Sequence, residues 1–403
     1  MKELFSLGKM CVSDFLSFSN FSDKKYELKL MLDGNGSVRL NESAPLDSMY
    51  GKYWYRSGIN QTMRDELKDI VDSIIKVVKL KENDIWIDVA CNDGTMFEFM
   101  PKNIIKIGID PADDSYKKES EKRADLIIQD YFSYDVYSKS KFGSNKIKVL
   151  TTVAMFYDLN DPNEFLQDVH KILDDNGLFV LQMSYTPLMI KQMAFDNICH
   201  EHIYYYSLFN IKTLLERNGF KIVDCVLNDI NGGSFRVFIK KDGFENSFHT
   251  QPFRDVASFR INSLLEYEKT LGLDKVETWL NFYDKINELK DKTVSFIKQE
   301  KSKGKTIWGY GASTKGNTTL QYFGLDNTLI DGIAERSIYK WGLKTAGTNI
   351  PIYSEEEMRK ANPDYLLILP WHFINEFKER EKDYLINGGK FIVPCPTFEV
   401  VGY

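Results

Sequence analysis

The chain has 403 residues, 43% of them hydrophobic and 27% charged, with 52 Lys and Arg set against 58 Asp and Glu. That profile excludes disordered, collagen-like and disulfide-scaffold classes, and a formal charge of −6 offers no basic footprint for nucleic acid. Cys11, Cys91, Cys199, Cys225 and Cys395 are odd in number, widely spaced and never in C-x-x-C, which speaks against disulfides and a four-cysteine zinc site. No apolar run reaches membrane-spanning length and Met1 opens no signal-like segment, so a cytoplasmic protein without a membrane partner is expected.

At roughly 150 residues per domain, two or three domains are expected. Residues 1–60 read as a small N-terminal lobe, with a hairpin predicted from Lys24–Leu32, the turn Asp33–Gly36, and Ser37–Leu40. From Met63 the period becomes helical: Leu67, Ile70, Val71, Ile74, Ile75 and Val78 share one face. Apolar strands then alternate with helix-length segments, at Ile85–Val89, Ile104–Ile109, Lys148–Val153 and Gly177–Met183, with Val237–Lys240 as a last strand. This predicts a doubly wound, Rossmann-like α/β domain over residues 61–245. Residues 246–302 are charged, with Leu264, Leu271, Leu280, Phe282 and Ile286 at helical spacing, and read as solvated connecting helices. A second strand, Gly-rich loop and helix begins at Lys305, and further strands at Leu329–Glu335, Asp364–Pro370 and Lys390–Pro396 predict a smaller Rossmann-like α/β domain over 303–403.

Two motifs carry chemistry. In IWIDVACNDGTMFEFM (Ile85–Met100) a buried strand runs into a loop of small residues, and the next strand ends at Asp110. Small residues let the backbone approach a nucleotide, and an acid closing the second strand can accept ribose hydroxyls. The spacing is not G-x-G-x-x-G. The pattern D-V-A-C-N-D-G resembles the first motif of S-adenosylmethionine (SAM) methyltransferases, which implies cofactor contacts from Asp88, Ala90, Asn92, Asp93, Gly94 and Asp110, and from Gln129, Asp130 and Tyr131 near adenine. The second motif, NICHEHIYYYSL (Asn197–Leu208), concentrates two of the five histidines with a glutamate and three tyrosines. H-E-x-x-H zinc chemistry fails because Tyr204 follows His200 by four, and Cys199, His200 and His202 lack a fourth ligand nearby. An acid/base cluster remains, beside the plainer reading of a structural polar corner.

CHEHIYYYSL, together with YTPL (Tyr185–Leu188), MAFDNI and NDINGGSFRV (Asn228–Val237), resembles the sugar C-methyltransferase family, whose members methylate a ring carbon of a nucleotide-linked keto-deoxysugar. YWYRSGINQTMRDEL (Tyr53–Leu67), WGYGASTKGNTTLQYFG, KWGLKTAGTNIPIYS and PDYLLILPWHF extend the resemblance over nearly the whole chain. It implies SAM as cofactor, a nucleotide-linked keto-sugar as substrate, methylation at C3, and His202 as the base that forms an enolate, with Glu201 beside it. His200 stays an alternative base, since both imidazoles point the same way only in an extended segment. Tyr55 is a candidate hydrogen-bond donor to the sugar oxygen, with Arg56, Ser57, Cys199 and Arg236 as further substrate contacts. The Gly-rich loop suits a diphosphate through backbone amides and Lys315, and the resemblance assigns the substrate's nucleotide to Gly309, Tyr310, Gly311, Lys315 and Asn317, with Lys340 and Trp371 lining the same cleft.

The chain departs from the family's pattern at several points. Many members open with a zinc module of two C-x-x-C pairs; this sequence corresponds to the part after the first pair, and Asp33 and Gly36 stand at the second, so no metal is expected. Cys199 replaces a tyrosine common before H-E-H, Thr151 and Met155 stand where Asn and His are usual, and ERSIYK (Glu335–Lys340) replaces D-R-N-P-x-K. Two other classes compete: an NAD-dependent sugar oxidoreductase with Glu335 closing the second strand of the smaller domain, and a non-catalytic SAM or nucleotide-sugar binding protein.

Overall fold

The computed structural model describes residues 1–22, 24–34, 36–45, 49, 54–244 and 251–402. Tyr53, Asn35 of the hairpin turn and the boundary expected near residue 245 lie outside the described residues. The chain forms two compact units that interleave in sequence: a middle unit of Tyr50–Pro187 and Ile203–Gly272, and a composite unit of Met1–Met49, Leu188–His202 and Leu273–Tyr403.

The middle unit is built on a seven-stranded sheet. In spatial order its strands are Phe220–Asn228, Ser234–Lys241, Leu173–Ser184, Ile147–Val153, Ile85–Val89, Ile105–Ile109 and Leu126–Ile128. The strands from Leu126 to Ser184 across this sheet are parallel, and Ser234–Lys241 runs antiparallel to both its neighbours. Ile85–Val89 is buried along its whole length, as a continuous apolar run in a parallel sheet requires. The predicted helix spans Gln61–Val77, and Leu67, Ile70, Val71 and Ile74 pack on Trp86, Phe97, Val149 and Val180. Ile75 departs from expectation: one residue past Ile74 turns it 100° off the buried stripe, and it is 41% exposed. Strand order reverses where Ile85–Val89 lies beside Ile147–Val153, and ligands of such sheets bind at that switch point, outside the carboxyl ends of the strands.

The composite unit repeats the plan. Its six-stranded sheet runs Ile352–Ser354, Gly332–Glu335, Ile307–Tyr310, Tyr365–Ile368, Lys390–Val393, Glu399–Val401, with only the last strand antiparallel. The switch point here lies between Ile307–Tyr310 and Tyr365–Ile368. The N-terminal strands Lys2–Cys11, Lys25–Leu32 and Val38–Leu40 form the antiparallel sheet that the hairpin pattern predicts, and Asp33 accepts the Ser37 amide at 2.8 Å across its turn. This sheet is tied to the helix Thr314–Phe323: the Cys11 amide donates to Gln321 Oε1 at 2.8 Å, and Gln321 Nε2 returns a bond to the Cys11 carbonyl at 3.0 Å.

Of the two connecting helices, Val276–Ser302 is not a solvated linker, while Gln251–Leu271 is largely exposed. Val276–Ser302 buries Trp279, Phe282, Ile286, Leu289, Thr293 and Ile297, a stripe at spacings of three and four, inside the composite unit. Gln251–Leu271 belongs to the middle unit, where Glu268 accepts from the Tyr185 hydroxyl and from the Leu208 and Phe209 amides at the start of the helix Leu208–Arg217. The charges on the outer face of Val276–Ser302 conceal its buried stripe in the sequence.

Candidate active site

A candidate cofactor site lies at the switch point of the middle unit. After Val89 the chain turns through Ala90, Asn92 and Gly94, with φ of 60°, 54° and 74°. Asp110, closing the second strand, accepts the Asn92 amide at 2.7 Å and the Ala112 amide at 2.8 Å, so it braces the loop while each oxygen keeps a lone pair. Asp88 accepts from the Thr151 hydroxyl at 2.7 Å; burial pushes its carboxyl up to about 7, against the effect of that hydrogen bond. Burial likewise raises Asp110, and it raises the Cys91 thiol well above its ordinary range.

The Tyr55–Gly58 segment is fastened to this loop. The Ser57 amide donates to Asn92 Oδ1 at 3.0 Å, the Gly58 amide to Asp93 Oδ2 at 2.8 Å, and Asn92 Nδ2 to the Tyr55 carbonyl at 2.9 Å. Arg56 lies 3.9 Å over the Tyr116 ring, bonds Ser115 and pairs with Glu119 at 2.9 Å. Burial and the nearby Asp93 charge raise the Tyr55 phenol, which stays a hydrogen-bond donor. Gln129 Nε2 donates to the Ala112 carbonyl at 2.9 Å, and Asp130 and Tyr131 are exposed. Thr152, in register with Val89, has a buried hydroxyl without a hydrogen-bond partner at the carboxyl end of its strand. A loop of small residues, two acids with spare lone pairs and an unmatched hydroxyl at the switch point fit SAM.

The histidine cluster lies in the composite unit. Residues 199–202 form a turn, with the His202 amide bonded to the Cys199 carbonyl at 3.2 Å, so the two imidazoles diverge. His200 Nε2 meets the Tyr26 carbonyl at 3.2 Å, which makes it a tie to the N-terminal hairpin. A ring nitrogen of His202 instead donates to the Asn197 carbonyl; burial foremost, then the Lys315 charge, holds this imidazole well below its ordinary pKa. Glu201 keeps part of its surface open, yet the atoms crowding its carboxyl push it up to about 7, with Lys315 opposing. Cys199 is buried.

Lys315 and Trp371, both expected at the nucleotide, reach the segment carrying H-E-H. Lys315 Nζ donates to Asn197 Oδ1 at 2.6 Å, and Trp371 Nε1 to Asp196 Oδ2 at 3.2 Å. His372, beside Trp371, is pushed down to about 3 by burial and by Lys315. Asp196, Asn197 and His372 had not been singled out as site residues from the sequence; the partnership of Lys315 and Asn197, 118 positions apart, leaves no local signal.

Other expected substrate residues have protein partners of their own. The Tyr310 hydroxyl bonds Glu355 at 3.0 Å and Glu381 at 2.7 Å inside the domain. Asn317 Nδ2 donates to the Asp14 carbonyl at 3.3 Å, and a Cβ on Gly309 would stand 2.9 Å from Ile333. Arg236 is buried among Gln182, Ser73, Glu66 and Asp69, within the sheet and its covering helix. Lys340 Nζ bonds the Ala312 carbonyl at 2.7 Å. At Gly311 φ is +82°, and a Cβ would strike Pro370 at 2.6 Å. Glu335 links the Ala312 amide at 2.8 Å with the Ser337 amide at 2.7 Å, and the Ser337 hydroxyl is buried without a partner.

The middle unit's sheet order and its acid-braced loop define a SAM-dependent methyltransferase fold. Comparison with known proteins agrees and is more specific. Residues 58–224 match the family described as a methyltransferase domain, and residues 229–396 match the C-methyltransferase C-terminal domain. The chain is 28% identical to C-methyltransferase NovU of Streptomyces niveus over 88% of its own length and 82% of that protein's. Among solved structures, it is similar to a SAM-dependent methyltransferase from Clostridium acetobutylicum ATCC 824, at 14% identity over 45% of this chain and 92% of that one, TM-score 0.35. Magnesium protoporphyrin IX methyltransferase from Synechocystis PCC 6803, with bound SAH, matches at 11% identity over 45% and 88%, TM-score 0.35. The chain is a SAM-dependent C-methyltransferase. Among the described residues, no helix is long and apolar enough to cross a membrane.

Proposed function

We propose that this enzyme methylates a ring carbon, C3 by family resemblance, of a nucleotide-linked keto-deoxysugar through an enolate formed by His202. The observation that carries the reading is the placement of His202: it is buried on the Cys199–His202 turn and is not the histidine that meets the Tyr26 carbonyl, which is His200. Burial and the Lys315 charge favour its neutral form, which has a nitrogen lone pair to offer at neutral pH. A neutral imidazole can remove the proton α to the ketone, and carbon nucleophilicity follows from the enolate. Glu201, raised to about 7, changes charge near physiological pH and is placed beside the base to accept or return a proton. Tyr55, kept protonated, can donate to the developing oxyanion, a contribution of about 3–4 kcal/mol where such donors are removed from other enzymes. Asp110, Asp88 and the Ala90–Gly94 loop would hold the cofactor; when bound, SAM supplies a methyl group on a positively charged sulfur.

For the nucleotide, the partnerless Ser337 hydroxyl and the Gly311 turn support a subsite at the switch point of the smaller sheet. The test is exchange of substrate α-protons in heavy water without SAM, across a panel of nucleoside-diphosphate keto-deoxysugars. Wild-type protein is expected to exchange one position, and His202→Ala to lose exchange while keeping SAM affinity by calorimetry. Exchange at the wild-type rate in His202→Ala would remove His202 as the base.

A further inference from the structure

The Gly-rich loop and Lys315 sit where a doubly wound sheet grips an anionic ligand, yet the Lys315 ammonium is used within the chain. It donates to Asn197 Oδ1 at 2.6 Å, from a half-buried position on the helix Thr314–Phe323. Asn197 is 1% exposed: its Nδ2 donates to the Ala194 carbonyl at 3.0 Å, and its own carbonyl accepts the Cys199 amide at 3.1 Å as well as a hydrogen bond from the His202 ring. One residue thus joins a cation to the imidazole. Nearby contacts fix the same segment, with Phe195 stacked on Phe323 at 5.3 Å and Asp196 bonded by Trp371 at 3.2 Å.

We propose that Lys315 is a positioning residue for His202: by fastening the Asn197 side chain it holds the carbonyl that takes the His202 ring proton, selecting one tautomer and presenting the other nitrogen. The significance of this arrangement for catalysis rests on the reading of His202 as the base; the arrangement itself does not.

The charges around the group are consistent with this role. Lys315 acts on His202 and His372 by disfavouring their protonated forms, and on Asp196 and Glu201 by favouring their ionised forms. Glu201 and Asp196 come from the segment itself, Lys315 from the helix, and His372 from the turn after the strand Tyr365–Ile368. A cation tied to the base's own support discourages protonation of the imidazole without bonding it.

With five histidines in the chain, selective ¹⁵N labelling of imidazoles reads His202 directly, assigned by its loss in His202→Asn. In wild-type protein His202 is expected as a single neutral tautomer that titrates well below a free imidazole. In Lys315→Met the ring is expected to exchange between tautomers and its titration to move up by roughly one unit or more, as loss of a nearby like charge permits. Lys315→Arg should restore much of the wild-type signature, because it keeps the charge and a donor. Asn197→Ala, which removes the fastening but leaves the charge, should release the tautomer with a smaller titration shift. An unchanged tautomer and titration in both Lys315→Met and Asn197→Ala overturns the proposal, as does a Lys315→Met enzyme with normal His202 signals and only a raised KM for the nucleotide sugar. Failure of His202 as base is a separate result: the Lys315 effects on the imidazole persist while α-proton exchange survives His202→Ala.

Discussion

The Thr151 hydroxyl donates to Asp88 Oδ1 at 2.7 Å while accepting the Trp86 indole N–H at 3.1 Å. One threonine therefore serves two buried groups at the root of the cofactor loop. The bond favours the Asp88 carboxylate, but burial outweighs it and leaves the carboxyl at about 7, above the 3.8 of a free side chain. Below about pH 4 the group is protonated folded or unfolded and costs nothing. Between about 4 and 7 the native state retains a proton that the unfolded chain has lost, so this group's contribution to stability falls as pH rises. Above 7 the penalty is complete, on the order of 4 kcal/mol. In urea titrations, Asp88→Asn is expected to gain on wild type steadily from pH 4 to pH 7. A difference that stays flat over that window would mean that Asp88 is ionised throughout.

Arg236 is a stability residue on this geometry. Its guanidinium bonds Gln182 and Ser73 at 2.8 Å each and pairs with Glu66 at 2.8 Å, all deep in the middle unit. Arg236→Met removes the charge partner of the half-buried Glu66 carboxylate, which keeps Gln182 and Asn228 as donors, and is expected to cost about 3 kcal/mol, with Glu66→Leu in the same chain recovering part of it. Folded Arg236→Met enzyme should keep the wild-type KM for the proposed nucleotide-sugar substrate. A tenfold rise in KM would return Arg236 to the substrate.

Gly94 joins a backbone demand to a steric one: φ is +74°, and a Cβ would stand 2.8 Å from the Ser120 Cα. Gly94→Ala is expected to cost stability and to weaken SAM binding by calorimetry at least tenfold, because the loop must shift away from Ser120. Gly304 separates the two demands, since its φ is +79° but nothing lies within 4 Å of its would-be Cβ. Gly304→Ala should lose stability alone. Equal SAM affinity in both variants would show that the loop's path does not set binding.

Four of the middle unit's five parallel strands are legible because burial on both faces writes them as unbroken apolar runs, and Ile85–Val89 has the limits its run predicts; Leu126–Ile128, three half-buried residues, escapes the pattern. The helix at residue 61 was legible from its stripe, short of Ile75 at its edge. Val276–Ser302 was misread because Lys, Asp and Glu crowd its outer face while Trp279, Ile286 and Ile297 are sealed beneath. Within the acid/base segment, residue types marked the chemistry but could not separate His200 from His202. That separation depends on a turn at Cys199–His202 and on which carbonyl each ring meets, Tyr26 or Asn197. The fate of Lys315 was equally hidden, since its partner lies far away in the chain.

The composite unit also has a consequence for how the protein is made. Its first strand is hydrogen-bonded through Cys11 to Gln321, and Phe15–Leu16 completes a ladder with Lys344–Thr345. At roughly 5–20 residues per second, a ribosome needs on the order of tens of seconds to pass from the first of these partners to the last. Throughout that interval Leu4, Leu7, Met10 and Phe15, all buried in the finished protein, lack the surfaces that cover them. The middle unit's parallel strands emerge earlier and have their neighbours at hand. Nascent chains halted near residue 272 should therefore carry a structured middle and a chaperone-dependent leading end.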